Sequence, residues 1–529
     1  MKNFVKTNKG ITLIALVITI IVLLILAGVT IATLTVDNGI LTKAQEASIQ
    51  TRGAQVEEVI NLWKSEIEMN ENTNSNAIVK GQDELLQELL SDKQVYENEI
   101  DRENKTITIG NRVISYKTKS QPTDIYVALY NDGTLVFNSK NEFDTSKLAE
   151  GWTIENIKGK KYELIYIDKE PWYDASKMPQ WYGSSTVIKI SFLDKVVPEN
   201  IEYWFVSLTN LTTIENMNNL DTSNVTDMSV MFGGCSSLTS INLTGLDTSN
   251  VTDMSRMFYG CSSLTSINLT GLDTSNVTDM SGMFYGCSSL TSINLTGLDT
   301  SNVTSMVSMF CGCSSLTSIN LTGLDTSNVT SMESMFYRCS SLTSINLTGL
   351  DTSNVINMKD MFMDCTLLTN VDITGLNTSK VTRMYRMFMR CNNIQNLDLS
   401  NWDTSNVESM AMMFCDCTSL TNLNLSGWNT AKVYGMMQMF DGCSSLTSIN
   451  LTGLDTSNVT NMSGMFDGCT SLTDLDLSSF DTGIVENYSG MLSEVTANVY
   501  IGDKWNTNMT ESRTSYSKTF IKKASTSQE

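Results

Sequence analysis

The sequence predicts a mainly β solenoid, an array of short coils with parallel strands, preceded by a small α+β region and a long N-terminal transmembrane helix. Three observations predict it. Residues 245–270, GLDTSNVTDMSRMFYGCSSLTSINLT, are followed at once by a copy that differs only in Gly282 for Arg256. Asp221 returns at a constant spacing of 26 as Asp247, Asp273, Asp299, Asp325, Asp351, Asn377, Asp403, Asn429, Asp455 and Asp481, with no insertion. An uncharged run, 11–34, stands behind Lys2, Lys6 and Lys9. A fixed period in this range marks an array in which each unit buries its face only against its neighbours.

Composition narrows the chemistry. The 529 residues contain no histidine, so the usual general base near neutral pH and the commonest metal ligand are both missing. A net charge of −22 disfavours nucleic acid, whose binding needs basic surface to displace counterions. Thirty methionines, normally minor gap fillers, point to a repeated core position. No pair of carboxylates is set apart by the repeats for hydrolysis, so an enzyme is not expected, and neither cofactor nor metal is implied.

Taken in order, residues 1–10 form a basic leader and 11–36 a membrane helix. The 24 residues 11–34 reach ~36 Å as a helix, against a hydrocarbon core of ~30 Å. The lysines hold the N-terminus in the cytoplasm and leave everything after Asp37 outside. The segment KGITLIALVITIIVLLILAGVTI resembles the N-methylation segment of type IV pilins and pseudopilins. That resemblance implies cleavage after Gly10 and methylation of Ile11. Where the family carries the Glu tied to filament assembly, this chain has Ala15.

Residues 37–76 read as a stalk helix and linker. Ile49, Val56, Val59, Ile60, Trp63 and Ile67 recur near helical spacing over 43–69, and NENTNSN (70–76) is linker-like. Residues 77–203 read as a small α+β region: DELLQELL as a helix, a hairpin turning at Gly110-Asn111, and another at Asp132-Gly133. Trp172, Tyr173, Trp181 and Tyr182 flank Lys177 and are assigned to core or cap packing before glycan stacking.

The array occupies 204–495, with 202–220 as an imperfect first coil. In one unit the apolar positions are Leu264, Ile267, Leu269, Leu272, Val277, Met280, Met283, Phe284 and Cys287. Leu-x-x-Ile-x-Leu has the leucine-rich-repeat shape, one short strand per coil, and 277–280 form a second extended side. At strand spacing, ~4.8 Å, the array reaches roughly 50 Å. Residues 496–529 are a C-terminal cap and tail, with a strand at 497–501 covering the last coil.

These residues resemble the BspA-like leucine-rich-repeat surface proteins, in the version with the DTSNVTDMSxMFxGC repeat found in bacterial and mycoplasma surface proteins. The resemblance implies a leucine-rich-repeat-like right-handed solenoid and an extracellular, non-enzymatic role in adhesion to host, matrix or cell-surface proteins or glycans.

Ten of the twelve cysteines fall in one core-like column, which favours a ladder of buried free thiols over disulfides. Cys311 and Cys415 add Cys-x-Cys pairs but lack further ligands for zinc. Residues 26 apart are stacked neighbours, so Arg338, Asp364, Arg390 and Asp416 form an alternating charge column, with Asp360 on Arg386 and Glu333 on Lys359. Trp402, Trp428 and Phe480 share the Leu246 column and belong to the core. Two surfaces remain as binding candidates. One is the recurring Thr265, Ser266 and Asn268 face; the other is the variable side holding Tyr385, Met389, Met412 and Tyr434. The expected function is a membrane-tethered cell-surface protein presenting the array for adhesion; a minor pilin or pseudopilin carrying the array on a filament is the alternative.

Overall fold

In a computed structural model of the protein, the structure describes residues 40–73, 81–102, 105–110, 112–116, 120–160, 162, 165–167, 170–172, 178–506, 509 and 519–523. The helix expected at 11–36 and the processing point at Gly10 and Ile11 lie outside the described residues, as do Tyr173 and Lys177. Among the described residues no helix is long and apolar enough to cross a membrane. The chain divides into two compact units: Met1–Asp101 with Ile107–Arg112, and Arg102–Thr106 with Val113–Glu529. The division falls inside the small α+β region read from the sequence.

In the first unit, a helix over Ile40–Thr73 buries Val56, Ile60 and Trp63 at helical spacing. The helix extends past Asn70, where a linker was expected, because 70–73 hold neither Gly nor Pro to stop it. Ile49 is exposed. Arg52 pairs with Glu99 at 2.6 Å and lies over the Tyr96 ring, and Arg112 pairs with Glu57. A second helix, Gln82–Ser91, buries Leu85, Leu86 and Leu89.

The second unit begins with a mixed sheet. Tyr126–Leu129 and Thr134–Asn138 form the antiparallel hairpin expected around Asp132-Gly133, with Tyr126 opposite Asn138. Gly133 has φ +82°, and a Cβ there would lie 2.6 Å from the Thr186 carbonyl oxygen, so only glycine fits. Thr134–Asn138 then runs parallel to Lys189–Phe192, which runs parallel to Thr213–Glu215 in the first imperfect coil. The switch from antiparallel to parallel pairing fuses this sheet to the solenoid. Trp181 is fully buried and packs edge-on against Phe137, in the aromatic cluster of Phe137, Phe192, Trp204 and Phe205.

From Phe205 onward the core is one repeated column set. Phe205, Phe232, Phe258, Phe284 and their successors to Phe466 stack ring on ring, with centroids 5.3 to 5.8 Å apart. Trp402 stacks on Trp428 inside the core, and Phe480 is buried in the same column. The second extended side is present: parallel bridges run unbroken from Asp227 through Asp253, Asp279 and each later coil to Asn487. The strand side is less regular than one strand per coil. It runs as single bridges from Asn242 to Asn320, then as Ser344–Asn346 with Asn370–Asp372 and as Asn422–Asn424 with Ser448–Asn450. At the C-terminus Asn498–Ile501 covers Asp474–Leu477, and Thr519–Lys522 adds a further parallel strand.

Candidate interaction surfaces of the array

Neighbouring coils satisfy each other's interior. The buried Thr274 hydroxyl donates to the Asp299 carbonyl of the next coil at 2.9 Å, and this repeats from Thr222 to Thr456. These threonines sit 0–1% exposed; reading apolar residues alone missed them as core. The cysteine column is likewise internal. All twelve cysteines are buried and free. The Cys287 thiol donates to the Phe258 carbonyl at 3.2 Å, and each column member from Cys235 to Cys469 does the same to the Phe of the preceding coil. Burial pushes the Cys261 thiol up to about 12, so the nucleophilic thiolate is not formed near neutral pH. Among the described residues no group of His, Cys, Asp or Glu is placed to hold a metal ion.

The charge ladders stand where residue spacing put them. Arg338 meets Asp364 at 3.7 Å, Arg390 meets Asp364 at 3.7 Å and Asp416 at 3.4 Å, Arg386 meets Asp360 at 2.8 Å, and Lys359 meets Glu333 at 2.8 Å. Six of these residues have left-handed backbone: Asp360 and Arg386, with φ of 57° and 54°, and four that share one turn position. Arg338, Asp364, Arg390 and Asp416 have φ of 59° to 60°, where Gly286, Gly312 and Gly442 stand in other coils.

The predicted binding residues separate. Thr265, Ser266 and Asn268 are all exposed on the strand side, as expected of a repeated surface. Their groups are partly committed: the Thr265 hydroxyl donates to the Thr239 carbonyl, and the Asn268 side-chain oxygen accepts the Thr270 N–H. Where strand pairing lapses between Asn320 and Asn346, a shallow depression of about 460 Å³ opens, lined by Ser318, Ile319, Ser344, Ile345, Asn346, Asn370, Val371 and Asp372. On the variable side, Tyr385 is half-buried. Its hydroxyl donates to the Met412 sulfur at 3.5 Å, and the Arg386 guanidinium lies 4.4 Å from its ring centre. Met389 is half-buried, whereas Tyr434 is 56% exposed on the other extended side, with its backbone bonded to Glu408 and Thr460. The structure therefore joins Tyr385 to Met412 and leaves Tyr434 in a different column.

One feature of the surface was not read from the sequence. Residues 115 and 120 lie on the Asp-Thr-Ser-Asn turns of the first coils. Ser120 Oγ donates to Asp221 Oδ2 at 2.6 Å, and the Ser115 N–H donates to Asp273 Oδ2 at 3.0 Å. Burial works to raise the Asp221 pKa, but Lys195, Ser120 and Ser223 outweigh it and hold the carboxyl at about 2. The repeated DTSN was a visible signal, but its covering segment lies 101 residues away in the chain.

The profile of a family described as "Mycoplasma protein of unknown function, DUF285" matches residues 189–291, 264–370, 342–448 and 419–529. No curated protein matches the chain. Similar solved structures include a leucine-rich repeat protein from Eubacterium ventriosum, at 15% identity and a TM-score of 0.33, covering 70% of this chain and 93% of that one. They also include the T. pallidum leucine-rich repeat protein, at 17% identity and a TM-score of 0.20, covering 49% and 87%. A third is the functional domain of InlJ from Listeria monocytogenes, which includes a cysteine ladder, at 12% identity and a TM-score of 0.19, covering 60% and 69%.

Proposed function

The chain belongs to the DUF285 family, Mycoplasma proteins of unknown function, and from that premise we propose that it is a membrane-tethered cell-surface protein whose solenoid is presented for adhesion to proteins or glycans. The observation that carries this reading is the split between interior and surface. Core columns are hydrogen-bonded within the array, while Thr265, Ser266, Asn268 and their copies stay exposed coil after coil. A weak contact made once by each coil multiplies through avidity. The sequence resemblance to BspA-like surface proteins and the basic, apolar N-terminus support the location. The pilin-like segment around Gly10 and Ile11 supports a second reading, a minor pilin or pseudopilin that carries the array on a filament.

The test uses the full chain expressed in cells. Protease added outside should remove the array, and deletion of 245–348, four coils, should weaken adhesion to matrix proteins or glycans while the remaining coils keep their register. Adhesion that is unaffected by this deletion and by loss of Tyr385 and Tyr434 sinks the reading. Recovery of the second reading requires co-purification with a filament and a mature N-terminus at Ile11.

A further inference from the structure

We propose that the strand-side column of Asn-Leu-Thr triplets, at Asn242, Asn268, Asn294, Asn320, Asn346 and Asn450, is an acceptor surface for N-linked sugar, and that the Asn-Val-Thr column on the other side of each coil is not. The reaction takes a glycosyl diphosphate donor and a transferase that reads Asn-x-Ser/Thr. Acceptance of sugar there does not rest on adhesion by the same side.

Both columns carry the acceptor motif, an asparagine followed two residues later by a hydroxyl with no proline between. The asparagine Nδ2 bonds to the anomeric carbon of the donor sugar. The bond from that carbon to the diphosphate breaks, the diphosphate leaves with the electron pair, and one Nδ2 proton passes to a base of the transferase. The hydroxyl two residues on is what the transferase reads. Both groups must therefore be exposed and uncommitted.

On the Asn-Val-Thr side both are spent. Asn250 Nδ2 donates to the Ser223 carbonyl at 2.9 Å, Asn276 to Ser249 at 2.7 Å, and Asn302 and Asn328 to Ser275 and Ser301 at 2.6 Å. The Thr252 hydroxyl donates to the Thr226 carbonyl at 3.2 Å, and Thr278 and Thr304 donate to Thr252 and Thr278 at 3.1 Å. Each of these bonds ties a coil to the one before it, so reaction at this column breaks the stack.

On the strand side neither group is spent on the stack. Asn268 and Thr270 are both exposed, as are the asparagine and threonine of each matching triplet. Only the asparagine oxygen is used: Asn268, Asn294 and Asn320 accept the N–H of the threonine two residues on at 3.0 Å, and Asn450 does so at 3.1 Å. Among the described residues no hydrogen bond engages the Nδ2 of these asparagines, and the one bonded threonine hydroxyl, that of Thr348, donates to Asn346 within its own triplet. The turn does not need the amide nitrogen, because Asp372 and Asp398 hold it with a carboxylate, accepting from Thr374 at 3.4 Å and Ser400 at 3.0 Å. Single bridges join Asn242, Asn268, Asn294 and Asn320 across coils, so a triplet lifts toward a transferase without opening a continuous ladder.

The test uses the folded full-length protein in two arms that separate the donors: UDP-glucose with a soluble N-glycosyltransferase, and a lipid-diphosphate oligosaccharide with a membrane oligosaccharyltransferase. Peptide mass mapping reads the sites, and a proteolytic digest of the same protein, in which both columns are free, is treated in parallel. Acceptors in adjacent coils stand ~4.8 Å apart, so one sugar crowds the next and each column is read as a total. In at least one arm the folded protein should carry about tenfold more sugar on the Asn-Leu-Thr column, because the other column must first open, and the digest should erase that difference. Two variants read a gain: Asp372→Asn creates an Asn-Ile-Thr triplet on the strand side and should take sugar at 372, whereas Lys380→Asn creates an Asn-Val-Thr triplet on the other side and should take none at 380 while folded. No transfer to the folded protein in either arm, equal transfer to both columns, equal gains in the two variants, or a preference that survives in the digest overturns the proposal, whichever way the adhesion assays turn out.

Discussion

The two extended sides of a coil are joined to their neighbours in different ways. On the side of Thr278 to Gly286, four backbone amides in one coil bond to the next: Met280 to Ser305, Gly282 to Val307, Phe284 to Met309 and Gly286 to Cys311. On the strand side the same pair of coils is linked by Thr317 to Thr291 at 3.4 Å and by the single bridge between Asn294 and Asn320. The bonded side also carries the stacked phenylalanines and the thiol bonds. Cohesion is therefore concentrated on one side, and the strand side is left with exposed columns whose alteration should change stability little. In a linear array each break is felt mainly by adjacent coils.

Phe284→Ala tests that division most severely. The ring is fully buried between Phe258 and Phe310, and its loss should cost about 3–5 kcal/mol. Denaturation of the variant should show a lowered or split transition. Ser292→Ala, on the exposed strand side, should stay within about 0.5 kcal/mol. Equal costs for the two would dissolve the contrast between the sides.

Thr300→Val comes next. The shape is kept, but the Asp325 carbonyl loses a donor at 2.8 Å in a position 1% exposed. Loss of this part-buried bond should cost about 0.5–1.5 kcal/mol, whereas Thr291→Val, exposed on the strand side, should be close to neutral. Urea titrations of both variants measure the difference.

These two residues also mark what could be read in advance. Phe284 was legible because one core serves every coil, so a period of 26 turns stacked neighbours into simple arithmetic. The same arithmetic placed the cysteine column, Trp402 on Trp428, and Arg390 between Asp364 and Asp416. Thr300 was not legible, because a threonine counts as surface until the carbonyl that satisfies it, 25 residues later, is known. The grip of Ser115 and Ser120 on the turn column depends on pairing across 101 to 158 residues, which no local pattern encodes. Tyr385 and Tyr434 vary in the sequence for reasons that periodicity treats alike; packing on Met412 and Arg386 separates them.

Arg390→Gly sets two small effects on the bonded side against each other. At φ 59° a side chain costs roughly 1 kcal/mol relative to glycine. Its pairs with Asp364 and Asp416, on a side chain 50% exposed, return ~0–1 kcal/mol. The variant should be equal to the parent or more stable by up to ~1 kcal/mol, and its advantage should grow at high salt, where the parent's ion pairs are screened. Clear destabilisation at high salt would show that Arg390 contributes through packing of its aliphatic stem.

The smallest effect expected is at Asp253, in the unbroken bridge column. Burial raises its pKa first, and the neighbouring Asp227 and Asp279 add to this, against the opposing bonds from Ser255. A carboxyl whose folded pKa lies above its unfolded value holds its proton more tightly when folded. Its favourable contribution is complete below the unfolded value and is lost as pH rises through the folded value. At neutral pH the parent therefore carries a charge that the fold disfavours. Asn keeps the turn without it, as Asn357 and Asn461 do when they accept from Lys359 at 3.1 Å and Ser463 at 3.0 Å in the same column. Asp253→Asn should stabilise the array at pH 7 by less than ~1 kcal/mol, given the residue's partial exposure to solvent. That gain should fade as the pH falls through the raised folded value and be gone below the ordinary carboxylate value of 3.8. Asp221→Asn should run the other way: it removes a carboxyl held at about 2 by Lys195 and Ser120, so it should destabilise at pH 7 and matter progressively less as the pH falls toward 2. Denaturant titrations of both variants at neutral and acid pH separate the cases. A gain at Asp253 that persists unchanged in acid would assign the effect to the shape of the turn and remove charge repulsion from this column.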